Sequence, residues 1–153
     1  MKQLISAFII ALCLSGCSDS SESQEELAET ALRDQVANQS KGQIRVISFT
    51  KLNGETMKDM GVDVRRIYFE ATLDFPSAGW WLSGNGYTER LNYEFVPGTQ
   101  AINTTFTPGA VRVAAYGEIV VSGTLEGHKM DNGWQFSVGS SEIKPGQLKR
   151  VSQ

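Results

Sequence analysis

The chain is 153 residues long and carries 14 lysine and arginine residues against 17 aspartate and glutamate residues, a formal net charge of -3 at pH 7. This length is sufficient for one domain with its own hydrophobic core but too short for two comfortable ones. Because the basic residues form no stripe that could neutralise a phosphate backbone, the composition argues against nucleic-acid binding.

The first residues have the pattern of a secretory signal peptide. Lys2 supplies a short basic segment, and residues 4–12 are uncharged and apolar apart from one serine. A membrane span needs about 20 apolar residues, so this segment is too short to be a transmembrane helix. We therefore expect residues 1–16 to be a leader that is removed.

Leu14, Ser15, Gly16 and Cys17 follow the apolar segment. They resemble the lipobox of bacterial lipoproteins, in which small residues precede a cysteine that is diacylated and becomes the first residue of the mature chain. The resemblance implies lipidation of Cys17, and two acyl chains are what stable membrane anchoring needs. An ordinary cleaved secretory signal and a retained apolar N-terminus are the alternatives.

The same resemblance implies a location in the bacterial cell envelope. In lipoproteins of enteric-type diderm bacteria, an aspartate directly after the acylated cysteine favours retention in the inner membrane. This chain has Ser18 there, so we expect an outer-membrane protein that faces the periplasm, with the inner membrane or the cell surface as alternatives. The membrane, reached through the lipid on Cys17, is the first partner that the sequence predicts.

The cysteine and histidine counts limit the chemistry. Cys13 lies in the expected leader and Cys17 would be acylated, so the mature chain would have no thiol. This excludes disulfides, thiolate metal sites and cysteine nucleophiles. His128 is the one histidine, and no loop has the spacing of a calcium site. We therefore predict no metal, no cofactor and no catalytic residues.

The mature chain would begin with a polar tether over residues 17–22. Ser23 and Glu26 then have the spacing of a capping box, in which each side chain accepts a hydrogen bond from the other residue's backbone amide. Apolar residues recur at three-four spacing after this point and predict an amphipathic helix over about residues 23–38. They are Leu27, Ala28, Ala31, Leu32 and Val36. Such a helix must bury its apolar side against another element, here a sheet.

The pattern changes to a period of two after Gly42. Residues 43–52 are rich in Ile, Val, Phe and Thr, and Asn53-Gly54 is a strong hairpin-turn signal. After a polar loop, residues 62–75 alternate between apolar and polar side chains, which is typical of a strand with one buried face. The residues expected in the core are Ile67, Phe69, Ala71, Leu73 and Phe75.

The remaining predicted strands are less regular. Residues 89–96 are expected to form a strand, and residues 110–126 fit either one long strand or two that meet near Gly117. The sequence Asp-Asn-Gly at residues 131–133 predicts a hairpin turn, and residues 134–138 give a last short strand.

One helix followed by about six mostly antiparallel strands predicts a single α+β domain over residues 23–153, with the N-terminal amphipathic helix packed on a curved sheet. The sheet should span about residues 43–139, followed by an irregular tail over residues 140–153. An all-β sandwich with an appended helix is the alternative fold.

The mature chain also resembles uncharacterised small bacterial lipoproteins. The shared features are an N-terminal helix, the stretch G-x-I-x-V-x-x-F-x-K-x-N-G over residues 42–54, a Gly61-Val62 pair before an aromatic strand, and an N-G-W hairpin at residues 132–134. The resemblance implies a cystatin-like or NTF2-like α+β fold, whose members bind ligands, dimerise or have no known activity.

Trp80 and Trp81 are the strongest indication of a binding site. Adjacent residues on a strand point to opposite faces, so at most one of the two can lie in the core. The other indole, beside several glycines and Tyr87, would provide a platform for a sugar ring or a partner's side chain. Trp80, Trp81 and Tyr87 are therefore the candidate binding residues, for an envelope protein or a glycan. Alternatively, both indoles cap an open end of the core.

These patterns favour a lipid-anchored envelope protein whose domain binds a partner without catalysis. The first alternative is a small periplasmic enzyme of the cone-shaped α+β type, with Glu70, Asp74 or His128 acting in a hydrophobic pocket. Otherwise the two carboxylates are solvent-facing charges in cross-strand ion pairs and His128 is a solvated turn residue. The second alternative is a structural protein that associates with itself through its sheet.

Overall fold

A computed structural model describes residues 23–83, 91–98, 100, 102 and 110–143 of the chain. These residues form an N-terminal helix and seven strands. The bounds are α1 Gln24–Ser40, β1 Arg45–Asp59, β2 Val62–Phe75, β3 Gly79–Leu82, β4 Phe95–Pro97, β5 Ala110–Val113, β6 Gly117–Met130 and β7 Gly133–Ile143. The predicted α+β class is confirmed. The expected leader and tether, residues 1–22, lie outside the described residues.

The described strands form two antiparallel sheets, whereas the sequence predicted a single sheet of about six strands. The larger sheet has the order β1-β2-β6-β7, and the smaller sheet has the order β4-β3-β5. The prediction missed this division because strands of three or four residues are too short to show a period of two. Two sheets also suit the alternative sandwich, but α1 is not an appendage, since Ala28, Leu32 and Val36 are fully buried.

Helix α1 begins where the sequence predicted. The Glu26 amide donates to the Ser23 hydroxyl at 3.2 Å, and the Ser23 amide donates to the Glu26 carboxylate at 2.8 Å. Lys41 (φ 53°) and Gly42 (φ 76°) lie in the left-handed region and end the helix. The apolar side of α1 packs against β7, β1 and β6, so the predicted docking of the helix on a sheet is confirmed.

Strand β2 lies between β1 and β6 and pairs with both along most of its length. Its predicted alternation is confirmed, because the five expected core residues are each no more than 1% exposed; they are Ile67, Phe69, Ala71, Leu73 and Phe75. These side chains belong to one core cluster with apolar residues of α1 and the smaller sheet. The even-numbered side chains of β2 point to the opposite face of the larger sheet.

The first hairpin turns later than predicted. Strand β1 continues through Asn53-Gly54 to Asp59, and the chain turns at Met60-Gly61. Met60 (φ 47°) and Gly61 (φ 86°) both have positive φ, as a two-residue type I′ turn requires. The prediction was wrong because the pairing of β1 with β2 on both sides of Asn53 outweighs the local preference of an Asn-Gly pair.

Strand β1 contains two β-bulges. Its register against β2 shifts between Val46 and Ser48 and again between Lys51 and Asn53, so Ile47 and Leu52 are the extra residues. Their side chains are 49% and 59% exposed. Because β1 is an edge strand of the larger sheet, the bulges interrupt a hydrogen-bonding edge that would otherwise be regular.

Two further turns lie where the sequence predicted them. Residues 110–126 contain two strands, β5 and β6, that are separated near Gly117. In this turn Tyr116 has φ 58°, and its amide donates to the Phe75 carbonyl at 2.7 Å. The β6–β7 hairpin turns at Asp131-Asn132, because Met130 pairs with Gly133.

Strand β7 extends to Ile143 and so includes the first residues of the tail that the sequence predicted to be irregular. Ser140 pairs with Thr124 and Glu142 with Ser122 of β6. Ser141 is buried and lies 3.4 Å from the Tyr93 hydroxyl, which donates to it. Backbone pairing holds these residues in the sheet, and a hydrophobic pattern cannot reveal it. Residues 144–153 lie outside the described residues.

Replacing Leu32 by alanine should lower the free energy of unfolding by about 2–5 kcal/mol, because its side chain is 0% exposed and its loss leaves a cavity under α1. Leu52→Ala is the matched control: the same atoms are removed from a residue that is 59% exposed, so the expected change is within about 0.5 kcal/mol. Urea denaturation followed by circular dichroism measures both values. Equal losses would contradict the position of α1 in the core.

Candidate functional site

Trp80 and Trp81 lie on β3, the central strand of the smaller sheet. Trp81 is fully buried, and its indole Nε1 donates to the Asn92 carbonyl at 2.7 Å. Trp80 is half-buried and points to the other face. The two neighbouring indoles are therefore divided between the core and the outer face of the sheet.

Trp81 belongs to an aromatic cluster that joins the two sheets. Its ring stacks on Tyr93, with centroids 6.2 Å apart and planes inclined by 12°, and lies 5.7 Å from the ring of Phe75. The ring of Phe75 also lies 5.8 Å from that of Phe95. Because Phe75 is the last residue of β2, the cluster fixes β3 against the end of that strand. Trp80 is thereby carried on a rigid support.

Trp80 has a neighbour on each side on the outer face of the smaller sheet. It pairs in register with Val96 of β4 and with Arg112 of β5, and directly opposite residues share a face. Val96 is 40% exposed, and Arg112 is exposed as well. The Trp80 Nε1 donates to the Gln100 carbonyl at 2.7 Å, which restrains the indole. We call Trp80, Val96 and Arg112 the Trp80 surface.

The Trp80 surface combines an aromatic face, an aliphatic side chain and a cation. An indole can stack on the apolar face of a sugar ring or on a partner's side chain. A guanidinium presents five N–H donors to hydroxyl or carboxylate oxygens. Arg112 is exposed, and no carboxylate in the described part of the chain forms an ion pair with it. This arrangement can bind, but it contains no group that would act as a nucleophile or a base.

A separate open depression of about 320 Å³ lies near the C-terminal end of α1. Its lining residues are Gln39, Lys41, Asn92, Glu94 and Phe95. The Gln39 side-chain oxygen accepts a hydrogen bond from the Tyr93 amide at 3.0 Å, which ties the helix end to the segment before β4. Phe95 links this depression to the aromatic cluster around Trp81, but neither Trp80 nor Trp81 lines it, so the depression is distinct from the Trp80 surface.

Asp74 and His128, two of the three residues of the enzyme alternative, are not brought together. Asp74 accepts hydrogen bonds from both Nε and Nη2 of Arg45, at 3.1 and 2.5 Å. His128 is half-buried within β6, where it pairs with Val64, and is not a turn residue. Val64 and Asp74 are ten residues apart on β2, or roughly 33 Å along the strand. His128 and Asp74 therefore cannot act on the same reacting atom in this fold.

The face of the larger sheet opposite α1 carries cross-strand charge pairs. The Arg66 guanidinium donates to Glu126 at 2.9 Å and to Glu55 at 3.3 Å, and the Tyr68 hydroxyl donates to the same Glu55 at 2.8 Å. The charged side chains in these pairs are one third to one half exposed. Exposed pairs of this kind contribute about 0–1 kcal/mol each to stability, so the charges around Arg66 do not by themselves indicate a functional site.

Cys17 and Tyr87 lie outside the described residues, and their roles stay predictions. No helix in the described part of the chain is long and apolar enough to cross a membrane. Over the same residues, no group of three or more His, Cys, Asp and Glu side chains is placed to hold a metal ion.

Val96 and Arg112 are site residues that the sequence did not identify. Both lie on strands of three or four residues far along the chain from Trp80, and only the pairing of the smaller sheet brings them beside the indole. One local signal existed: Arg112 stands between Val111 and Val113, so alternation alone places the guanidinium on the outer face.

Comparisons of the chain with protein-family models, curated proteins and solved structures gave no match. The function therefore has to be inferred from the residues of this chain.

We expect the buried Tyr93 hydroxyl to lower the free energy of unfolding at high pH. Burial raises its pKa above the usual value, and its hydrogen bond to Ser141 opposes part of this rise. Above about pH 10 the unfolded chain can ionise this tyrosine while the folded chain keeps it protonated. The unfolded chain then binds fewer protons than the folded chain. The free energy of unfolding is therefore unaffected by the ionisation of this tyrosine below about pH 10 and falls as the pH rises through the pKa of Tyr93 in the folded state.

Tyr93→Phe should remove this part of the alkaline loss, whereas Tyr116→Phe, at a tyrosine that is 81% exposed, should not. Urea denaturation of the wild type and both variants at neutral pH and above about pH 10 measures the effect. The same pH dependence in all three proteins would show that Tyr93 is not a buried acid.

Proposed function

We propose that this chain is a lipid-anchored protein of a bacterial cell envelope whose α+β domain binds another envelope component without catalysing a reaction. The anchor is supported by Cys17, which follows an apolar segment and the small residues Ser15 and Gly16. Ser18 after the cysteine favours the outer membrane, with the domain facing the periplasm. In this location the lipid holds the domain near the surface, and the domain contributes the binding.

The Trp80 surface is the observation that carries the binding function. A half-buried indole whose Nε1 is fixed by the Gln100 carbonyl loses little conformational freedom when a ligand stacks on it. Val96 extends the apolar contact, and the exposed guanidinium of Arg112 can add directed hydrogen bonds. Aromatic residues and arginine are also the residue types that dominate binding energies at protein interfaces.

The ligand that fits this surface has an apolar ring face beside oxygen acceptors. An envelope glycan has both features, since sugar rings present C–H groups on one face and hydroxyl or carboxylate oxygens at their edges. A protein partner would need an aromatic or aliphatic side chain next to a carboxylate. We propose the glycan as the first candidate and an envelope protein as the second.

We also propose that the domain has a cystatin-like or NTF2-like fold. A helix that lies across an antiparallel sheet is the arrangement of a cystatin-like or NTF2-like domain, and the packing of α1 against β1, β6 and β7 supports it. Enzymes of this shape gather their acids and bases in one pocket, whereas Asp74 and His128 are far apart along the larger sheet. This separation favours a binding domain over the catalytic alternative.

Cys17→Ser should abolish lipid attachment, because a hydroxyl cannot form the thioether that carries the diacylglycerol. Cys13→Ser is the matched control: it removes a thiol from the expected leader and should leave the mature protein unchanged. Palmitate labelling in bacterial cells and the intact mass of the membrane-purified protein measure both. An unmodified Cys17 thiol or a retained leader in the wild-type protein would refute the anchor.

Trp80→Ala and Arg112→Gln should each weaken binding by about tenfold, the effect of losing roughly 1.4 kcal/mol of contact energy. Trp134→Ala is the matched control, since Trp134 is also half-buried but stacks on Phe136 of the larger sheet, at a centroid distance of 6.3 Å. Co-sedimentation with insoluble cell-wall glycan and crosslinking to envelope proteins are the two readouts. If Trp80→Ala binds as the wild type does in both assays, the Trp80 surface is not the binding site.

A further inference from the structure

The two long hairpins of the larger sheet end on the same side of the molecule. The β1–β2 hairpin turns at Met60-Gly61, and the β6–β7 hairpin turns at residues 131–132. Val64 pairs with His128 across β2 and β6. The same register, carried two residues further, brings Val62 level with Met130. We call the two turns with Val62 and Met130 the hairpin tips.

The hairpin tips expose apolar side chains. Met60 is 99% exposed, Val62 47% and Met130 50%. The chain has four methionines, and all three that follow Met1 lie at this end of the sheet, the third being Met57. At φ 47° Met60 occupies a position where a type I′ turn favours asparagine, aspartate or glycine. Turn chemistry therefore does not explain why a fully exposed methionine stands there.

Helix α1 points its N-terminus toward the hairpin tips. Near the start of the helix, the Glu25 carboxylate lies 3.3 Å from the Nζ of Lys51. At the end of the helix, the Ser40 hydroxyl accepts a hydrogen bond from the amide of Ile44, just before β1 begins. The helix thus runs antiparallel to β1, and Ser23, its N-cap, lies on the side of the hairpin tips.

The chain that precedes the helix is nearly long enough to reach the level of the hairpin tips. Lys51 and Asp59 are eight residues apart on β1, which corresponds to about 26 Å. Cys17 precedes Ser23 by six residues, which span at most about 20 Å when fully extended. A fully extended tether therefore brings an acylated Cys17 to within about 6 Å of the level of the hairpin tips.

We infer that the hairpin tips rest on the lipid surface to which the chain is anchored and that they fix the orientation of the domain. This inference rests on the lipid anchor of the proposed function. Phe75, at the other end of β2, is thirteen residues from Val62, or roughly 43 Å along the strand. The smaller sheet, attached at Phe75, would stand away from the membrane and present the Trp80 surface to the surrounding compartment.

The small size of the hairpin tips favours a lipid surface over a protein partner. Three exposed side chains cannot supply the roughly 800 Å² per partner that stable protein complexes bury, whereas a lipid–water interface accepts individual apolar side chains beside polar ones. Lys58 and Lys129 flank the tips; Lys58 Nζ lies 4.0 Å from Asp63 Oδ1, and the exposed Lys129 can extend its ammonium group toward lipid phosphates. The exposed carboxylates of Asp59 and Asp131 limit the contact to the headgroup region.

Site-specific fluorescence tests the orientation of the domain. Because the lipidated chain would have no free thiol, an introduced cysteine is the only site that reacts with the dye. Met60→Cys, coupled to a nitrobenzoxadiazole dye, is introduced into the lipidated protein and reconstituted in phosphatidylethanolamine–phosphatidylglycerol vesicles. Tyr116→Cys is the matched control: Tyr116 is 81% exposed, has a positive φ of 58° like Met60, and lies at the opposite end of the larger sheet. Quenching by spin-labelled lipids and flotation of the vesicles are the readouts.

A blue-shifted emission and severalfold stronger lipid quenching at position 60 than at position 116 would support the inference. Equal quenching at both positions, in protein that floats with the vesicles, would overturn the contact and leave the anchor intact. A blue shift at position 60 that grows with protein concentration in the absence of vesicles would overturn it in favour of a second copy of the chain. Protein that does not float with the vesicles would refute the anchor and, with it, this inference.

Met60→Asn gives an independent variant that should keep the fold, because Asn-Gly is the favoured pair for a type I′ turn. A dye on Val62→Cys should be quenched less strongly by lipid in the Met60→Asn background than beside the native methionine. Unchanged quenching would show that the apolar side chain of Met60 does not hold the tip at the membrane.

Discussion

The one-sided burial of β2 is the constraint on which the other elements depend. Its odd-numbered side chains from Ile67 to Phe75 are excluded from water, and its two neighbours hydrogen-bond to it on either side. These side chains run along most of the strand, and more than one element covers them. Helix α1 covers part of this face, and the smaller sheet packs at the Phe75 end. The two elements therefore take complementary positions along β2.

The pair Trp80-Trp81 connects this core directly to the outer face of the smaller sheet. Trp81 is held by Phe75, by Tyr93 and by the Asn92 carbonyl. Because neighbouring residues on a strand point in opposite directions, the burial of Trp81 determines where the indole of Trp80 is presented. The same contacts that stabilise the fold thus hold the Trp80 surface in one geometry, which is the condition for binding without a large entropic cost.

Features with a local cause could be read from the sequence, and features that depend on distant pairing could not. The capping box at Ser23, the apolar side of α1 and the alternation of β2 each arise from neighbouring residues, and all three were predicted correctly. The turn at Met60-Gly61, the extension of β7 to Ile143 and the division into two sheets are set by register over many residues. The candidate site shows the same division: the opposite orientations of Trp80 and Trp81 follow from adjacency, whereas Val96 and Arg112 become neighbours only through strand pairing.

The bulges at Ile47 and Leu52 bear on how the protein behaves when many copies share one surface. If the chain is anchored as proposed, its local concentration depends on the membrane area that the copies share. At high surface concentration, a regular edge strand would favour edge-to-edge pairing between copies and fibril formation. The two extra residues disrupt the regular spacing of the unpaired backbone N–H and C=O groups of β1. A second strand could therefore form hydrogen bonds with only a short part of this edge at a time. In the proposed lipid-anchored state, the two bulges would therefore disfavour strand-to-strand pairing between neighbouring copies.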